Sequence, residues 1–446
     1  MSKRFFGTDG IRGLIGSEKM HPEFIMHLGW ALGKMLQEVY GGGLAIIGKD
    51  TRISGYMLES ALEAGLSSAG INVSLTGPLP TPGVAYITKT MHAQIGIMVS
   101  ASHNPFYDNG IKIFSADGTK LSDAQEVIIE KWLEQPMEVL EPANLGKALR
   151  LKCAQSRYVE FCKSTAVSKD LSGMRIVMDL ANGAAYNTGD RVFTELGANV
   201  TVIGNEPDGI NINHGVGSTH PEVLAKKVKE LHADVGIALD GDGDRCIMVD
   251  SDGKIIDGDE ILYIIAKARK KQGITDKMVV GTVMSNMGIE NAIKNLGLEF
   301  LRSKVGDKYV LEDLLQHDAV IGGEASGHIL CLDKSTTGDG IVASLQVVSA
   351  MRQEQTALNE MLLEVEKFPH QLVNIKVDSP QEVVKSDMAQ DAVAKFSEQI
   401  SGRGRILLRA SGTESLVRIM VEGSDSKEIK NIANSLADVV RDIKAL

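Results

Sequence analysis

The sequence predicts an α/β protein: three related α/β domains with mixed sheets, then a smaller C-terminal α+β domain, with an active-site cleft at the centre. Three observations carry this. A unit of strand, small-residue loop, helix and second strand occurs three times, at intervals of roughly 100 residues. After Phe368-Pro369 the pattern changes to strands and a long closing helix. In every part, loops of small, polar or charged residues directly follow short apolar runs, the position at which open α/β sheets bind ligands. At ~100–200 residues per domain, 446 residues leave room for three or four domains.

The first domain, 1–151, opens on Phe5-Phe-Gly-Thr-Asp-Gly-Ile-Arg12-Gly13, where glycines at 7, 10 and 13 surround one acid and one arginine. This is a loop able to approach a ligand closely; read alone, it is equally an ordinary N-terminal turn cluster. Leu44–Gly48 is a strand, Lys49-Asp-Thr-Arg-Ile-Ser54 a polar loop, Tyr56 to Ala69 an amphipathic helix and Asn72–Leu75 the next strand. The second domain, 152–252, repeats the unit with Arg175–Leu180, the loop Ala181-Asn-Gly183, a helix ending near Leu196-Gly197, and Asn199–Ile203. The third, 253–368, repeats it with Met278–Thr282, the loop Val283–Asn286, a helix around Ile289 to Leu296, and Leu298–Leu301. Glycine stops the helix each time. In the last, 369–446, Leu372–Val377, Ile406–Arg409 and Val417–Val421 are strands and Ser426 to Leu446 is a helix. No Pro-rich or low-complexity linker separates the domains, so they are expected to pack against one another.

Hydrophobic residues make up 43% of the chain and aromatics only 4%, so the cores should be aliphatic. A net charge of −11 argues against general nucleic-acid binding. It also means that an anionic substrate must be met by locally clustered Arg and Lys. The cysteines, Cys153, Cys162, Cys246 and Cys331, are scattered without a C-x-x-C pair. They read as reduced core residues, not as a disulfide framework or zinc site. The first residues form no apolar signal region, and no run approaches the ~18 apolar residues of a membrane span. A cytoplasmic protein without a membrane partner is expected.

Four loops gather the chemistry. Ser100-Ala-Ser102-His-Asn-Pro-Phe-Tyr-Asp-Asn-Gly-Ile-Lys112 follows the buried strand Ile95–Val99. Pro105 keeps Asn104 out of helix. Asp108-Asn-Gly110 is a turn signal, and Ile111–Phe114 is a strand that brings Lys112 back. Ser102 with His103 beside it and Lys112 ten residues on is a nucleophile with acid/base help nearby. The competing reading is turn chemistry alone.

Asp240-Gly-Asp-Gly-Asp-Arg245 follows the strand Val235–Leu239. Three carboxylates at alternate positions can converge on one point, and hard oxygen ligands suit Mg²⁺ or Ca²⁺. Without a cation they would repel. An EF-hand would need Gly and Glu where this chain has Arg245 and Ser251.

Gly322-Gly-Glu-Ala-Ser-Gly-His328 follows Ala319–Ile321, and its Glu324, Ser326 and His328 offer donors and acceptors suited to sugar hydroxyls, or simply a polar turn. In Arg409-Ala-Ser-Gly-Thr-Glu-Ser-Leu-Val-Arg418, backbone N–H groups, hydroxyls and two guanidinium forks are equipment for a phosphate monoester. One loop per domain, each bringing one component, points to a single central cleft.

Taken together, the Phe5–Gly13 opening, Ser100–Phe114, Asp240–Arg245, Gly323–His328 and Arg409–Arg418 resemble the α-D-phosphohexomutase superfamily in order and spacing, over the whole chain. The first, second and last segments look most like its hexosamine-phosphate branch. Ala325 departs from that branch, in which Gln is expected, while Glu324 and Ser326 are kept. The resemblance implies that Ser102 is carried as phosphoserine and that one Mg²⁺ per chain sits on its phosphoryl group with Asp240, Asp242 and Asp244. Glu324 and Ser326 would hold sugar hydroxyls. Arg409, Ser411, Gly412, Thr413 and Arg418 would hold the phosphate that is not reacting. Arg12, His103, Lys112, Arg245 and His328 would surround the reacting centre.

The implied reaction interconverts glucosamine 6-phosphate and glucosamine 1-phosphate through a 1,6-bisphosphate, which doubles as activator, and feeds amino-sugar and cell-wall precursors. The implied partner is a hexosamine phosphate, in a monomer or homodimer, with no nucleic acid. Rivals are a phosphomannomutase or phosphoglucomutase, and a Mg²⁺-dependent phosphatase in which water receives the phosphoryl group.

Overall fold

The structure is a computed structural model that describes residues 5–7, 10–274, 276–411 and 415–445. The chain divides into two compact units, one of residues 1–282 with 303–362 and the other of 283–302 with 363–446.

The first unit is built on one scheme used three times. In the first sheet, Leu44–Lys49 runs parallel to both Asn72–Pro78 and Ile95–Val99, and Ala148–Arg150 extends the sheet beyond Asn72–Pro78. Ile95–Val99 then pairs antiparallel with Asp108–Ser115. In the second sheet, Arg175–Asp179 is flanked in parallel by Asn199–Ile203 and Val235–Leu239, and the latter pairs antiparallel with Cys246–Asp250. In the third, Met278–Thr282 runs parallel to Ile321–Gly323, which pairs antiparallel with Ile329–Cys331. Parallel strands need helical crossovers, whereas antiparallel neighbours can be joined by a short loop. The loops 100–107, 240–245 and 324–328 are therefore equivalent: each joins the last parallel strand to its antiparallel partner. This is the expected α/β class with mixed sheets.

Apolar spacing decides which helix faces are buried. Ile25, Leu28, Trp30, Leu32, Met35 and Leu36 of Pro22–Tyr40 enter one core with Leu58, Leu62 and Leu66 of Ile53–Ser68 and with strand residues Ile47, Ile97 and Val99. Helix starts carry capping residues: Asp257 with Glu260 begins Gly258–Lys271 in a reciprocal box, and Asp339 caps Gly340–Glu354. Among the described residues no helix is long and apolar enough to cross a membrane. All four cysteines are free; Cys162, Cys246 and Cys331 are buried as expected, while Cys153 is exposed.

The second unit carries a three-stranded antiparallel sheet in the order His370–Lys376, Leu416–Gly423, Gly404–Ala410. Val417, Ile419 and Val421 of the central strand pack on Ile432, Leu436 and Val440 of the helix Ser426–Ala445. Buried Glu422 ties in the segment 283–302: its carboxylate accepts from Met287 N at 2.9 Å and from Arg405 Nε at 2.6 Å. Arg405 in turn donates to the Val283 and Ser285 carbonyls.

One local expectation fails. Asp108-Asn-Gly110, read as a turn, belongs to the strand Asp108–Ser115, because Asp108, Asn109 and Gly110 pair with Leu14, Gly13 and Arg12. The loop-like opening likewise ends in a strand, Ile11–Leu14. A ladder across the sheet edge outweighs local turn propensity, and it carries Arg12 to the neighbourhood of Ser100.

Candidate active site

Ser102 stands at the end of the strand Ile95–Val99, buried, in a left-handed conformation (φ 52°) that is costly for a residue with a Cβ. Its Oγ donates to Asp240 Oδ2 at 2.6 Å and lies 3.4 Å from His103 Nδ1. The second loop can come this close because residue 241 is glycine: a Cβ there would fall 2.6 Å from the Ser102 carbonyl oxygen.

Asp240, Asp242 and Asp244 are all buried, and one carboxylate oxygen from each lies within 4.8 Å of the others. Burial, with Asp244 and Asp242 adding to it, pushes the Asp240 carboxyl well above the usual range. Asp244 goes the other way: burial opposes its charge, yet Lys112, His328 and Arg245 together hold it well below that range. Lys112 Nζ bridges Asp242 Oδ2 (2.8 Å) and Asp244 Oδ2 (3.1 Å), and Thr81 Oγ1 donates to Asp242 Oδ2 at 2.6 Å. Even so, Asp242 Oδ1 and Asp244 Oδ1 are buried with no hydrogen-bond partner. Arg245 Nε lies 3.8 Å from Asp244 Oδ1, an ion pair without a hydrogen bond, and buried hard oxygens left so incompletely satisfied fit a divalent cation such as Mg²⁺.

The third loop closes on the second. Cys246 N donates to Gly327 O at 3.0 Å and Arg245 faces His328 in an antiparallel bridge, which sets His328 Nδ1 3.7 Å from Asp244 Oδ2. Burial disfavours the charged ring, but the Asp244 carboxylate more than offsets it, so His328 is raised. His103 is the contrast: burial, reinforced by Arg245 and Arg12, lowers it to about 4, so it is neutral at pH 7. Arg245 Nε is buried without a hydrogen-bond partner. Glu324 Oε1 accepts from Gly306 N at 2.9 Å, and Ser326 is exposed on the same loop.

In the second unit, Arg409 and Arg418 are directly opposed on neighbouring strands. Facing like charges are unfavourable in a sheet, and burial together with Arg418 lowers the pKa of Arg409. Ser411 N donates to Leu416 O at 2.9 Å, and Ser411 Oγ is buried without a partner. This pair of guanidinium groups beside an unsatisfied hydroxyl suits an anion. Gly412 and Thr413, also expected here, lie outside the described residues.

The first unit thus brings Arg12, Ser102, His103, Lys112, Asp240, Asp242, Asp244, Arg245, Glu324 and His328 into one neighbourhood. Sequence reading missed Thr81, Asp50, Arg52 and Asn213. Asn213 Nδ2 donates to the Ser102 and Asn104 carbonyls at 2.9 and 3.1 Å. The only local signal was that Asp50 and Arg52 occupy a polar loop after a strand.

Known proteins are similar to this chain over nearly its whole length. The chain matches the phosphoglucomutase/phosphomannomutase family as alpha/beta/alpha domains I, II and III over residues 3–139, 156–253 and 257–368, and as the C-terminal domain over 372–439. It is 54% identical over 441 residues to a phosphoglucosamine mutase of Aeromonas hydrophila, covering 99% of each chain. It is 54% identical over 442 residues to one of Legionella pneumophila, covering 99% of this chain and 97% of the relative. In fold it is similar to a phosphoglucomutase/phosphomannomutase family protein of Burkholderia thailandensis (TM-score 0.83, 23% identity, 99% and 98% of the two chains). It is also similar to the N-acetylphosphoglucosamine mutase of Aspergillus fumigatus in complex with GlcNAc-6P and magnesium (TM-score 0.69, 18% identity, 99% and 96%). With four family domains matched in order across nearly its whole length, the chain belongs to the phosphoglucomutase/phosphomannomutase family.

Proposed function

We propose that the chain interconverts glucosamine 6-phosphate and glucosamine 1-phosphate, with Ser102 as the phosphoryl carrier and a 1,6-bisphosphate as intermediate and activator. The observation that carries this is the 2.6 Å hydrogen bond from Ser102 Oγ to the buried carboxylate trio. A transferable group on that oxygen would sit against a cation site and against Lys112 and Arg245. Full-length likeness to phosphoglucosamine mutases supports the choice of sugar.

In the forward direction the free hydroxyl of the hexosamine phosphate attacks the phosphorus on Ser102. The new sugar–oxygen bond to phosphorus forms, the bond to Ser102 Oγ breaks, and the hydroxyl proton passes through the site to the departing oxygen. The resulting bisphosphate turns around, and its other phosphoryl group returns to Ser102. Ser102, Asp240, Asp242 and Asp244 would hold Mg²⁺, which when bound supplies neutralisation of the phosphoryl oxygens. Lys112 and Arg245 supply fixed positive charge in the same place. Lys112 and His328, both set against Asp244, are the candidates for carrying the hydroxyl proton. Glu324 and Ser326 read sugar hydroxyls, and Arg409, Ser411 and Arg418 hold the phosphate not in reaction.

The test is incubation with Mg²⁺, a trace of hexose bisphosphate and separate 1- and 6-phosphates of glucosamine, glucose and mannose, following isomer and free phosphate. Isomerisation fastest with glucosamine phosphates is expected. Preference for glucose or mannose phosphates overturns the choice of sugar, and release of free phosphate as the main product overturns the mutase reading.

A further inference from the structure

Arg52 and Asp50 are fully buried and paired through Arg52 Nε and Asp50 Oδ2 at 2.8 Å. A guanidinium has five N–H donors. With one used on Asp50, the other four all go to backbone carbonyls of the loop 100–107 and of Asp108, the first residue of the strand that follows it. Terminal nitrogen Nη2 donates to the Ser102 and Asn104 carbonyls at 2.9 and 2.8 Å; Nη1 donates to that of Pro105 and, at 3.2 Å, to that of Asp108. Asp50 reaches the same loop by a second route: Ser100 Oγ donates to Asp50 Oδ2 at 2.6 Å and accepts from Ser102 N at 2.9 Å. Both the N–H and the carbonyl of Ser102 are thus held by this pair, and the residue so held has φ 52°. Arg52 holds the Ser102 carbonyl directly, along with its neighbours' carbonyls, and Asp50 holds the Ser102 N–H through Ser100, so two routes from one ion pair end on a residue in a sparsely populated conformation.

We infer that Arg52 and Asp50 are positioning residues for phosphoryl transfer, a buried ion pair that fixes the Ser102 backbone in the conformation from which its oxygen reacts. The inference rests on Ser102 being the phosphoryl carrier. Neither residue touches substrate in this scheme; each acts through the loop. Lysine cannot substitute, because three donors on a point charge cannot span Asp50 and four carbonyls.

The experiment compares the full-length parent with Arg52→Lys and Ser100→Ala, each first phosphorylated with hexose 1,6-bisphosphate and quantified by intact mass. Single-turnover transfer to glucosamine 6-phosphate is then measured per phosphorylated enzyme. Arg52→Lys should lower this rate by about 100-fold, the scale of a 1 Å misplacement, while KM for the sugar phosphate stays within about threefold. A rate per phosphorylated enzyme within threefold of the parent overturns the proposal, since it would confine Arg52 to stability. If Arg52→Lys does not fold, Ser100→Ala decides alone. It leaves the ion pair intact and removes only the link to the Ser102 N–H, so about a tenfold loss is expected and parental transfer overturns the inference. Peptide mapping of the phosphate keeps the underlying reading separate: phosphate found on a residue other than Ser102 refutes the carrier assignment whatever the rates.

Discussion

Ser102 Oγ and Asp240 Oδ2 lie 2.6 Å apart although 138 residues separate them in the chain. They meet because the loops 100–107 and 240–245 occupy equivalent positions in two sheets of one scheme, with Gly241 permitting the contact. The serine is thereby fixed against a buried carboxylate trio, with Lys112, Arg245 and His328 set against its aspartates.

Ser102→Ala should therefore abolish isomerisation, and added hexose bisphosphate should not restore it. The lost Oγ also leaves buried Asp240 Oδ2 without its 2.6 Å donor, so a destabilisation of about 1–3 kcal/mol should accompany the loss of activity. Mass spectrometry of the parent locating stable phosphate on Ser100 in place of Ser102 would sink the assignment.

The carboxylate trio should make the enzyme metal-dependent in both activity and stability. Treatment with EDTA should stop turnover, and Mg²⁺ should restore it. Ligand that binds only the folded state adds about 2.7 kcal/mol at 100-fold above its dissociation constant, so Mg²⁺ should raise the melting temperature. Asp244→Asn should lower kcat by roughly 10²-fold, raise the Mg²⁺ requirement and shrink the thermal shift. Full activity of the stripped enzyme without added metal would show that the trio has another role.

Asp339 gives a pH signature that does not depend on turnover. Its Oδ1 accepts from Val342 N at 2.9 Å and its Oδ2 from the Tyr158 hydroxyl at 3.0 Å, both in the interior. Burial pushes its carboxyl up to about 7 from an ordinary 3.8. A carboxyl raised on folding contributes stability that is full below its unfolded pKa and is lost as pH rises through its folded one. Stability should therefore decline between about pH 4 and 7 by at most about 1.4 kcal/mol per pH unit from this group. Asparagine can keep the bond from Val342 N on its oxygen and reverse the other, its Nδ2 donating to the Tyr158 hydroxyl oxygen, without titrating, so Asp339→Asn should flatten that slope in denaturant melts taken from pH 5 to 7.5. An unchanged slope would assign the pH dependence elsewhere.

The loops holding Ser102 and the aspartates were legible because their signals are local: an apolar strand, then small or charged residues at fixed spacing. Asp50, Arg52 and Asn213 were not, because the groups they hold, the Ser100 hydroxyl for Asp50 and loop carbonyls for Arg52 and Asn213, lie 50 to 111 residues away, and nothing near them in sequence announces those partners. The strand at Asp108–Gly110 was hidden for the same reason, since its residues favour a turn until the N-terminal strand is laid beside them. The φ of Ser102 has no sequence signal either; serine gives no hint that its surroundings force it left-handed. Local chemistry thus points to the groups that the fold gathers, and long-range pairing conceals what holds them.

The opposed Arg409 and Arg418 lead to a prediction about retention, not only affinity. A bisphosphate intermediate must release one phosphate contact to turn around, yet must not escape before the second transfer. Guanidinium forks grip phosphate oxygens in pairs, and two of them held face to face lower their mutual repulsion by sharing an anion. Arg418→Ala should therefore do more than raise KM. A lost charge-assisted hydrogen bond is worth ~1.5–3 kcal/mol, roughly ten- to a hundredfold in escape rate if the loss falls on dissociation. With Ser102 as the proposed carrier, each escape would leave it without its phosphoryl group and the enzyme idle. The variant should therefore depend more steeply on added hexose bisphosphate than the parent, and free bisphosphate should accumulate to the level of enzyme present during turnover. A raised KM with an unchanged activator requirement would show that this arginine binds substrate without retaining the intermediate.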